Sequence, residues 1–272
     1  YIDEAVFRGA TSLETLTITF VGKTLGERVE ATAKETMFGW IFGYNNGDIK
    51  DNASYSIVNS LQNVHITNDK NISSYAFYNL PRVDYVSLGD TIKIIGEYAF
   101  ANNKTLSVVR FADGYNMTTV SNNLFQNATA LQGFNLGGNV SDTKDISAIV
   151  RRLPNCVTTI GAYAFDGCSD VHFIDFAVSN NVTTIGKYAF SRTSSMVSFS
   201  FDETCQIKTL SEGTFKDAIK LQMTTLPDSF IRVEKYAFEN CSSITEFTLS
   251  NNVTYIDEAV FRGATSLETL TI

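Results

Sequence analysis

Over most of the chain the apolar residues fall into a unit that returns every 23 to 25 positions and is anchored on a phenylalanine. The anchors are Phe7, Phe77, Phe100, Phe125, Phe165, Phe190, Phe215, Phe238 and Phe261, and from Phe77 onward they are spaced 23, 25, 40, 25, 25, 23 and 23 apart. Ahead of the anchor stand a branched residue, often a glycine four before and a tyrosine two before, and usually a small residue just before, as in TTIGKYAFSRTSSMVSFSF. Behind it apolar residues recur at plus six, plus nine and plus eleven: Leu106, Val109 and Phe111; Val171, Ile174 and Phe176; Leu267, Leu270 and Ile272. The last two of each set keep the period of two expected of a strand with one buried face, and Thr, Val, Ile and Phe favour strands. A unit this short cannot shelter that face alone, so the pattern predicts stacked units sharing a parallel sheet with strands about 4.8 Å apart. The phenylalanines then form an interior column. Ala76, Ala99, Ala164, Ala189 and Ala237 leave room beside it, while Gly96, Gly161 and Gly186 suit a tight bend that a side chain would obstruct.

Two stretches interrupt the rhythm. In SDTKDISAIVRRLP, Ile146, Ile149, Val150 and Leu153 fall at helical spacing, which predicts an amphipathic helix capped by Ser141 or Asp142 and stopped before Pro154. In LGERVEATAKETMFGWIFG, Val29, Ala33, Met37 and Trp40 share a helical face, and a polar stretch from Gly43 to Ser60 follows. A strand resumes at LQNVHI, where Leu61, Val64 and Ile66 keep the repeat's internal spacing. The expected architecture is an α/β repeat: one solenoid over residues 1–272 with a parallel sheet, about ten units, and helix or loop insertions at about 19–60 and 137–155.

The first eighteen residues, YIDEAVFRGATSLETLTI, reappear unchanged as Tyr255 to Ile272, 254 positions on. That distance separates Phe7 from Phe261, so the second copy lands in register with the repeat. Drift blurs separated copies, and the internal units differ at most outward positions. The identity predicts a higher-order period, a 254-residue block in tandem seen through a 272-residue window on a longer array; an engineered duplication gives the same letters.

The motifs IGEYAF, IGAYAFDGCSDV and VEKYAFENCSSI resemble the BspA-like, or Treponema-type, leucine-rich-repeat family. The resemblance runs over nearly the whole chain, with departures at Leu124 before Phe125, at Val260 before Phe261 and across Thr19 to Ser60. It implies a curved right-handed leucine-rich-repeat solenoid with a concave parallel sheet. It also implies a surface or secreted protein of the kind found in anaerobic bacteria and parasitic protists, some of which are linked to binding fibronectin and fibrinogen. No catalytic residues come with it.

Composition narrows the function. The chain carries 21 basic and 29 acidic residues for a net charge of -8, without runs of like charge, so it lacks the positive footprint that nucleic acid requires. No stretch reaches the roughly 18 to 20 apolar residues of a membrane-spanning helix. The two histidines, His65 and His172, fall on strands four units apart, about 20 Å by strand spacing, which excludes a shared triad or metal site. Cys156, Cys168, Cys205 and Cys241 lack metal-ligand spacing and read as buried or partly buried free thiols. The loop YNNGDIKDNAS has the composition of a calcium loop without its acidic spacing and closing glutamate, and reads as a solvated loop. No enzyme activity and no cofactor or metal are expected. Nine N-x-S/T sequons, at Asn52, Asn71, Asn103, Asn116, Asn127, Asn139, Asn181, Asn240 and Asn252, are N-glycan candidates that the repeat's own Asn-turn and Thr-strand chemistry also generates.

What remains is protein binding. Side chains at plus seven, eight and ten alternate away from the buried positions. The plus-ten row reads Thr17, His65, Ser87, Arg110, Asn135, Asp175, Ser200, Thr225, Thr248 and Thr271, and the plus-eight row includes Tyr85, Val108, Phe173 and Met223. Aromatics over a polar scaffold suit a protein partner, and His65, Tyr85, Val108 and Arg110, on successive strands, form the candidate patch. The expected function is extracellular, cell-surface adhesion to a partner such as a host matrix protein. The alternative is a filament or coat in which tandem blocks meet copies of themselves.

Overall fold

At each anchoring phenylalanine the corner is built by two residues in the left-handed region, two positions before and two after it. Around Phe100 they are Tyr98 and Asn102, both at φ 59; around Phe190, Tyr188 at φ 56 and Arg192 at φ 57; around Phe238, Tyr236 at φ 63 and Asn240 at φ 58. Aromatic residues rarely accept positive φ. Here part of the strain is offset by ring stacking down the corner: Tyr75 lies 4.9 Å from Tyr98 and Tyr163 lies 5.1 Å from Tyr188, both nearly parallel. The computed structural model describes residues 1–25, 34–44, 52–136, 153, 155–171, 173–175, 181–201 and 204–272, the side chains of 135, 136 and 173–175 aside.

The chain forms two compact units. The first comprises Tyr1–Met117 and Leu124–Val150. Its long strands, Thr15–Ile18, Asn63–Ile66, Tyr85–Leu88, Val108–Phe111 and Gly133–Leu136, make a five-stranded parallel sheet in that order. The register sets Thr17, His65, Ser87, Arg110 and Asn135 in one row, the row expected from the spacing. Behind it short strands Asn71–Ile72 and Ile94–Ile95 pair in parallel.

The second unit comprises Thr118–Asn123 and Arg151–Ile272. Its short strands form two parallel groups, Thr119–Val120 with Thr159–Ile160 and Thr184–Ile185, and Thr209–Leu210 with Arg232–Val233 and Tyr255–Ile256. Its long strands pair as Phe173–Asp175 with Ser198–Ser200 and as Glu246–Thr248 with Thr269–Thr271, and Thr225 joins Thr248 by a lone parallel bridge. Each unit is thus a parallel-strand leucine-rich-repeat solenoid. The described residues amount to about 8 turns against the ten expected.

Phenylalanine columns run through both units. In the second, Phe165, Phe190, Phe215, Phe238 and Phe261 stack with centroids 5.3, 5.8, 5.6 and 5.3 Å apart. In the first, Phe77, Phe100 and Phe125 follow at 5.1 and 5.5 Å, and the column is carried back to Phe7 by Phe38 and Phe42, at 5.2 Å from Phe77 and 6.1 Å from Phe7 respectively. The stretch that fits the repeat poorly is therefore a repeat corner in other residues.

That corner overturns the expected first helix. Among the described residues helix is confined to the 3-10 turns Lys34–Thr36, Phe38–Phe42 and Asn52–Ser54, so the fold is almost helix-free and not α/β. Met37 and Trp40 are buried as expected, but Phe38, Gly39, Ile41 and Phe42 are buried with them, leaving no polar face to solvate a helix. The backbone groups bond to neighbouring turns instead: Phe38 N–H donates to the Ala76 carbonyl, and the Trp40 and Ile41 carbonyls accept from Ala5 and Phe7. Residues 26–33, and the expected helix at 141–153 apart from the buried Leu153, lie outside the described residues.

The glycines have a different reason from the one expected. Gly96, Gly161 and Gly186 have ordinary φ, and a β-carbon on them would stand 2.3, 2.5 and 2.4 Å from the backbone nitrogens of Ser74, Asn122 and Ala162. They permit close approach of successive turns, not a bend.

Candidate protein-binding face

The candidate patch is assembled as predicted and enclosed against prediction. His65 stands in register with Ser87, and Ser87 with Arg110, while Tyr85 stands beside Val108. The His65 ring accepts or donates one hydrogen bond at Nδ1 with Ser87 Oγ, 2.6 Å away, and lies edge-on to Tyr85 at 5.9 Å. Yet His65, Tyr85, Val108 and Arg110 are only 4%, 0%, 0% and 5% exposed, and all four residues of Tyr85–Leu88 and of Val108–Phe111 are buried. Alternation tells which residues share a face; it does not tell whether that face is open. Met223, another expected outward residue, is also buried, while Thr224 and Thr225 beside it are exposed and Leu226 is buried. The Phe173 side chain and His172 lie outside the described residues.

The open face belongs to the second unit. Ser198 and Ser200, Gln222 and Thr224, Glu246 and Thr248, and Thr269 and Thr271 are exposed on neighbouring turns. All but Glu246 are uncharged, so a partner can cover them without stripping water from ions. Where the ladder thins to the Thr225–Thr248 bridge, a cavity of about 520 Å³ opens between Phe199, Phe201, Met223 and Leu226, with Ser200, Gln222, Thr224 and Asp228 among its polar lining. Nothing in the spacing marks it. The nearest signal is Pro227, which cannot donate to a ladder.

A second surface runs along the corners of this unit. Glu239, nearly buried, bonds Lys216 at 2.7 Å and Arg262 through Nε at 2.7 Å; Arg192 grips Asp166 with two bonds of 2.8 and 2.5 Å; Tyr188 donates to Glu212 at 2.9 Å, which Lys235 approaches at 3.5 Å. Burial raises the Glu239 carboxyl, but the bonds from Lys216 and Arg262 outweigh it and hold the group below the ordinary carboxylate value. A lowered folded-state value means stability that is present at neutral pH and is lost as pH falls through the acidic carboxylate range. The melting temperature difference between the parent chain and Glu239→Gln is therefore expected to be largest near pH 7 and to narrow steadily toward pH 3; a constant difference would remove the charge from the account.

The polar columns explain the sequons. Asn52 and Asn103 are buried and bond three backbone groups each; Asn103 accepts from Leu80 N–H at 2.6 Å and donates to the Phe77 and Phe100 carbonyls at 2.9 and 3.1 Å. Asn116, Asn181, Asn240 and Asn252 are exposed, the last three tying successive turns through their amides. Asn139 lies outside the described residues, as does most of the YNNGDIKDNAS loop. None of the four cysteines forms a disulfide; Cys168, Cys205 and Cys241 are buried and Cys156 is half-buried. Burial pushes the Cys241 thiol up to about 12, and its Sγ lies 3.1 Å from the Phe215 carbonyl, so it serves as a small packed group that caps the turn before it. Among the described residues no three His, Cys, Asp or Glu side chains converge to hold a metal, and no helix is long and apolar enough to cross a membrane.

Comparison with known proteins gives the following. The family model for the BspA type leucine rich repeat region matches in six copies, over residues 45–148 and 158–272. Solved structures similar to this chain include a leucine rich cell surface protein from Faecalibacterium prausnitzii, 19% identical, with 96% of this chain and 88% of that one covered and a TM-score of 0.41. A leucine-rich repeat protein from Bacteroides ovatus is 16% identical over 99% of this chain and 81% of that one, TM-score 0.43, and the pneumococcal vaccine antigen PcpA is 14% identical over 97% and 79%, TM-score 0.45. No curated protein matches.

Proposed function

The chain belongs to the BspA-type leucine-rich-repeat family, and on that premise we propose that it is a non-enzymatic, extracellular protein that adheres to another protein through the open sheet face of its second unit. The observation that carries the proposal is the hydroxyl ladder beside a cavity of about 520 Å³. Tight protein contacts concentrate in a pocket that takes one large apolar side chain, ringed by groups that exclude water, and the cavity with its Phe199, Met223 and Leu226 walls and its Ser and Thr rim supplies both. His65, Tyr85, Val108 and Arg110 are enclosed in the first unit's sheet, so the proposal places the partner on the second unit and not on them. Secretion through a glycosylating pathway would modify Asn116, Asn181, Asn240 or Asn252, and not Asn52 or Asn103.

Thr224→Trp, which fills the cavity mouth from an exposed position, is expected to weaken binding to immobilised fibronectin or fibrinogen at least tenfold while leaving the melting temperature unchanged. Equal binding by parent and variant, or none by the parent, would count against this face and these partners.

The filament alternative keeps one specific support. The two identical segments take the same local backbone: Arg8, Ala10, Thr11 and Leu13 donate within the first copy at 3.0, 3.2, 2.8 and 3.0 Å, and Arg262, Ala264, Thr265 and Leu267 donate to the matching carbonyls at 3.1, 3.1, 2.9 and 3.1 Å. A tandem array needs that equivalence. A covalent two-block chain, residues 1–254 followed by 1–272, should then melt in the same cooperative steps as the single block.

A further inference from the structure

We propose that the cavity beside Met223 holds an extended segment of the partner protein in which an aromatic residue is followed, two positions on, by lysine or arginine. The proposal rests on the adhesion reading and names the chemistry that its site selects.

The turn after Phe215 differs from the turns on either side. In those, the ninth residue past the anchor is a buried ring wedged between two anchors: Phe199 lies 5.2 Å from Phe190 and 4.7 Å from Phe215, and Phe247 lies 4.9 Å from Phe238 and 5.2 Å from Phe261. After Phe215 the ninth residue is Thr224, and it is exposed. Buried Met223 and Leu226 flank two consecutive exposed threonines, where a strand would alternate. Pairing lapses at the same place: among the described residues Ser198–Ser200 has Phe173–Asp175 as its one partner strand, and Thr225 meets Thr248 by a lone bridge. The amides of Thr224 and Thr225 donate to no backbone carbonyl among the described residues. The gap lies inside the repeat, with further turns before and after it.

These features select a chain in extended form. Its carbonyls meet the bare Thr224 and Thr225 amides, as an added strand's do at a sheet edge, and its alternate side chains point to one face. The first of those side chains enters the cavity. Phe199 and Phe201 meet edge-on at 4.9 Å and, with Met223 and Leu226, form its apolar walls. A further ring gains from contact with such rings and with the methionine sulfur beyond the area it buries.

Asp228 selects the side chain two positions on. It is the charged member of the cavity lining, it is exposed, and it forms no ion pair with a described residue. Glu246, exposed on the next turn two residues before the Thr225–Thr248 bridge, adds a second negative charge. A cationic side chain is drawn to this lip and a carboxylate is repelled.

The probe is a labelled, end-capped heptapeptide, Ser-Thr-Phe-Thr-Lys-Ser-Thr, titrated with the full chain at low ionic strength and followed by fluorescence anisotropy. It should bind saturably. Phe→Ala in the peptide should weaken binding at least tenfold, and Lys→Glu about fivefold, the size expected of exposed charges. Asp228→Lys, at an exposed position, should melt like the parent and prefer the Glu peptide to the Lys peptide; if that variant does not fold, Asp228→Asn reads the same contrast as a loss of preference. The proposal is overturned if the parent does not bind the peptide saturably or if Asp228→Lys keeps the parent's preference. It is also overturned if N-acetylphenylalanine amide competes as well as the whole peptide, which would make the cavity a small-molecule site. The adhesion reading fails separately, on equal binding of fibronectin and fibrinogen by the parent and Thr224→Trp. A chain that loses those proteins with Thr224→Trp yet ignores the peptide's lysine keeps the adhesion reading and loses this one.

Discussion

Gly186→Ala is expected to disrupt the second unit more than any other single methyl addition in it. The new β-carbon would stand 2.4 Å from Ala162 N, 2.7 Å from Gly161 C and 2.8 Å from Ala162 Cα, all backbone atoms that cannot swing aside. Relief requires the two turns to separate, which breaks the 2.8 Å bond from Gly186 N–H to the Ile160 carbonyl and strains the pairing of Thr184–Ile185 with Thr159–Ile160. Overpacking that a side chain can absorb costs about 1 to 3 kcal/mol, and backbone contact on this scale belongs at or beyond the upper end. Urea unfolding should show a loss of unfolding free energy of that size, read as a lowered midpoint at unchanged slope, with the exposed neighbour substitution Lys187→Ala nearly neutral. Equal midpoints for the two variants would mean that successive turns do not approach as closely as the structure places them.

The same glycine shows where sequence reasoning reached and where it stopped. A glycine four before the anchor was legible as a place without room, yet the spacing could not say that the obstacle is the preceding turn and not the local bend. The rows of the sheet were legible to the residue, since Thr17, His65, Ser87, Arg110 and Asn135 stand in one line because every unit repeats one geometry. Enclosure was not legible, because the period of two is the same for a sheet open on one side and for one covered on both, as Tyr85–Leu88 and Val108–Phe111 are. Nor was the corner at Phe38–Phe42: its residues sit at helical spacing, but tertiary hydrogen bonds from Ala5, Phe7 and to Ala76 outweigh a local preference that has no polar face to support it. The cavity arose where the repeat is weakest, at Met223 to Pro227, and a motif search built on what recurs passes over what lapses.

The second large effect lies in the phenylalanine column. Phe190 is fully buried, stacked between Phe165 at 5.3 Å and Phe215 at 5.8 Å, and met edge-on by Phe199 at 5.2 Å. Phe190→Ala is expected to destabilise the second unit by about 3 to 5 kcal/mol, from lost burial and a cavity that the ring neighbours can only partly close. Phe261→Ala removes a ring with Phe238 at 5.3 Å as its one stacking partner in the column and a surface already half-open, so its effect should be smaller. The contrast carries more than the magnitude. In a linear repeat array stability is a sum of turn and nearest-neighbour terms, so weakening a middle turn removes two interfaces and weakening the last removes one. Phe190→Ala should therefore broaden or split the second unit's unfolding transition, while Phe261→Ala should lower it without a change of shape. Calorimetry on the two variants separates these outcomes, and transitions of the same shape and shift would mean that the rings do not act through their neighbours in the column.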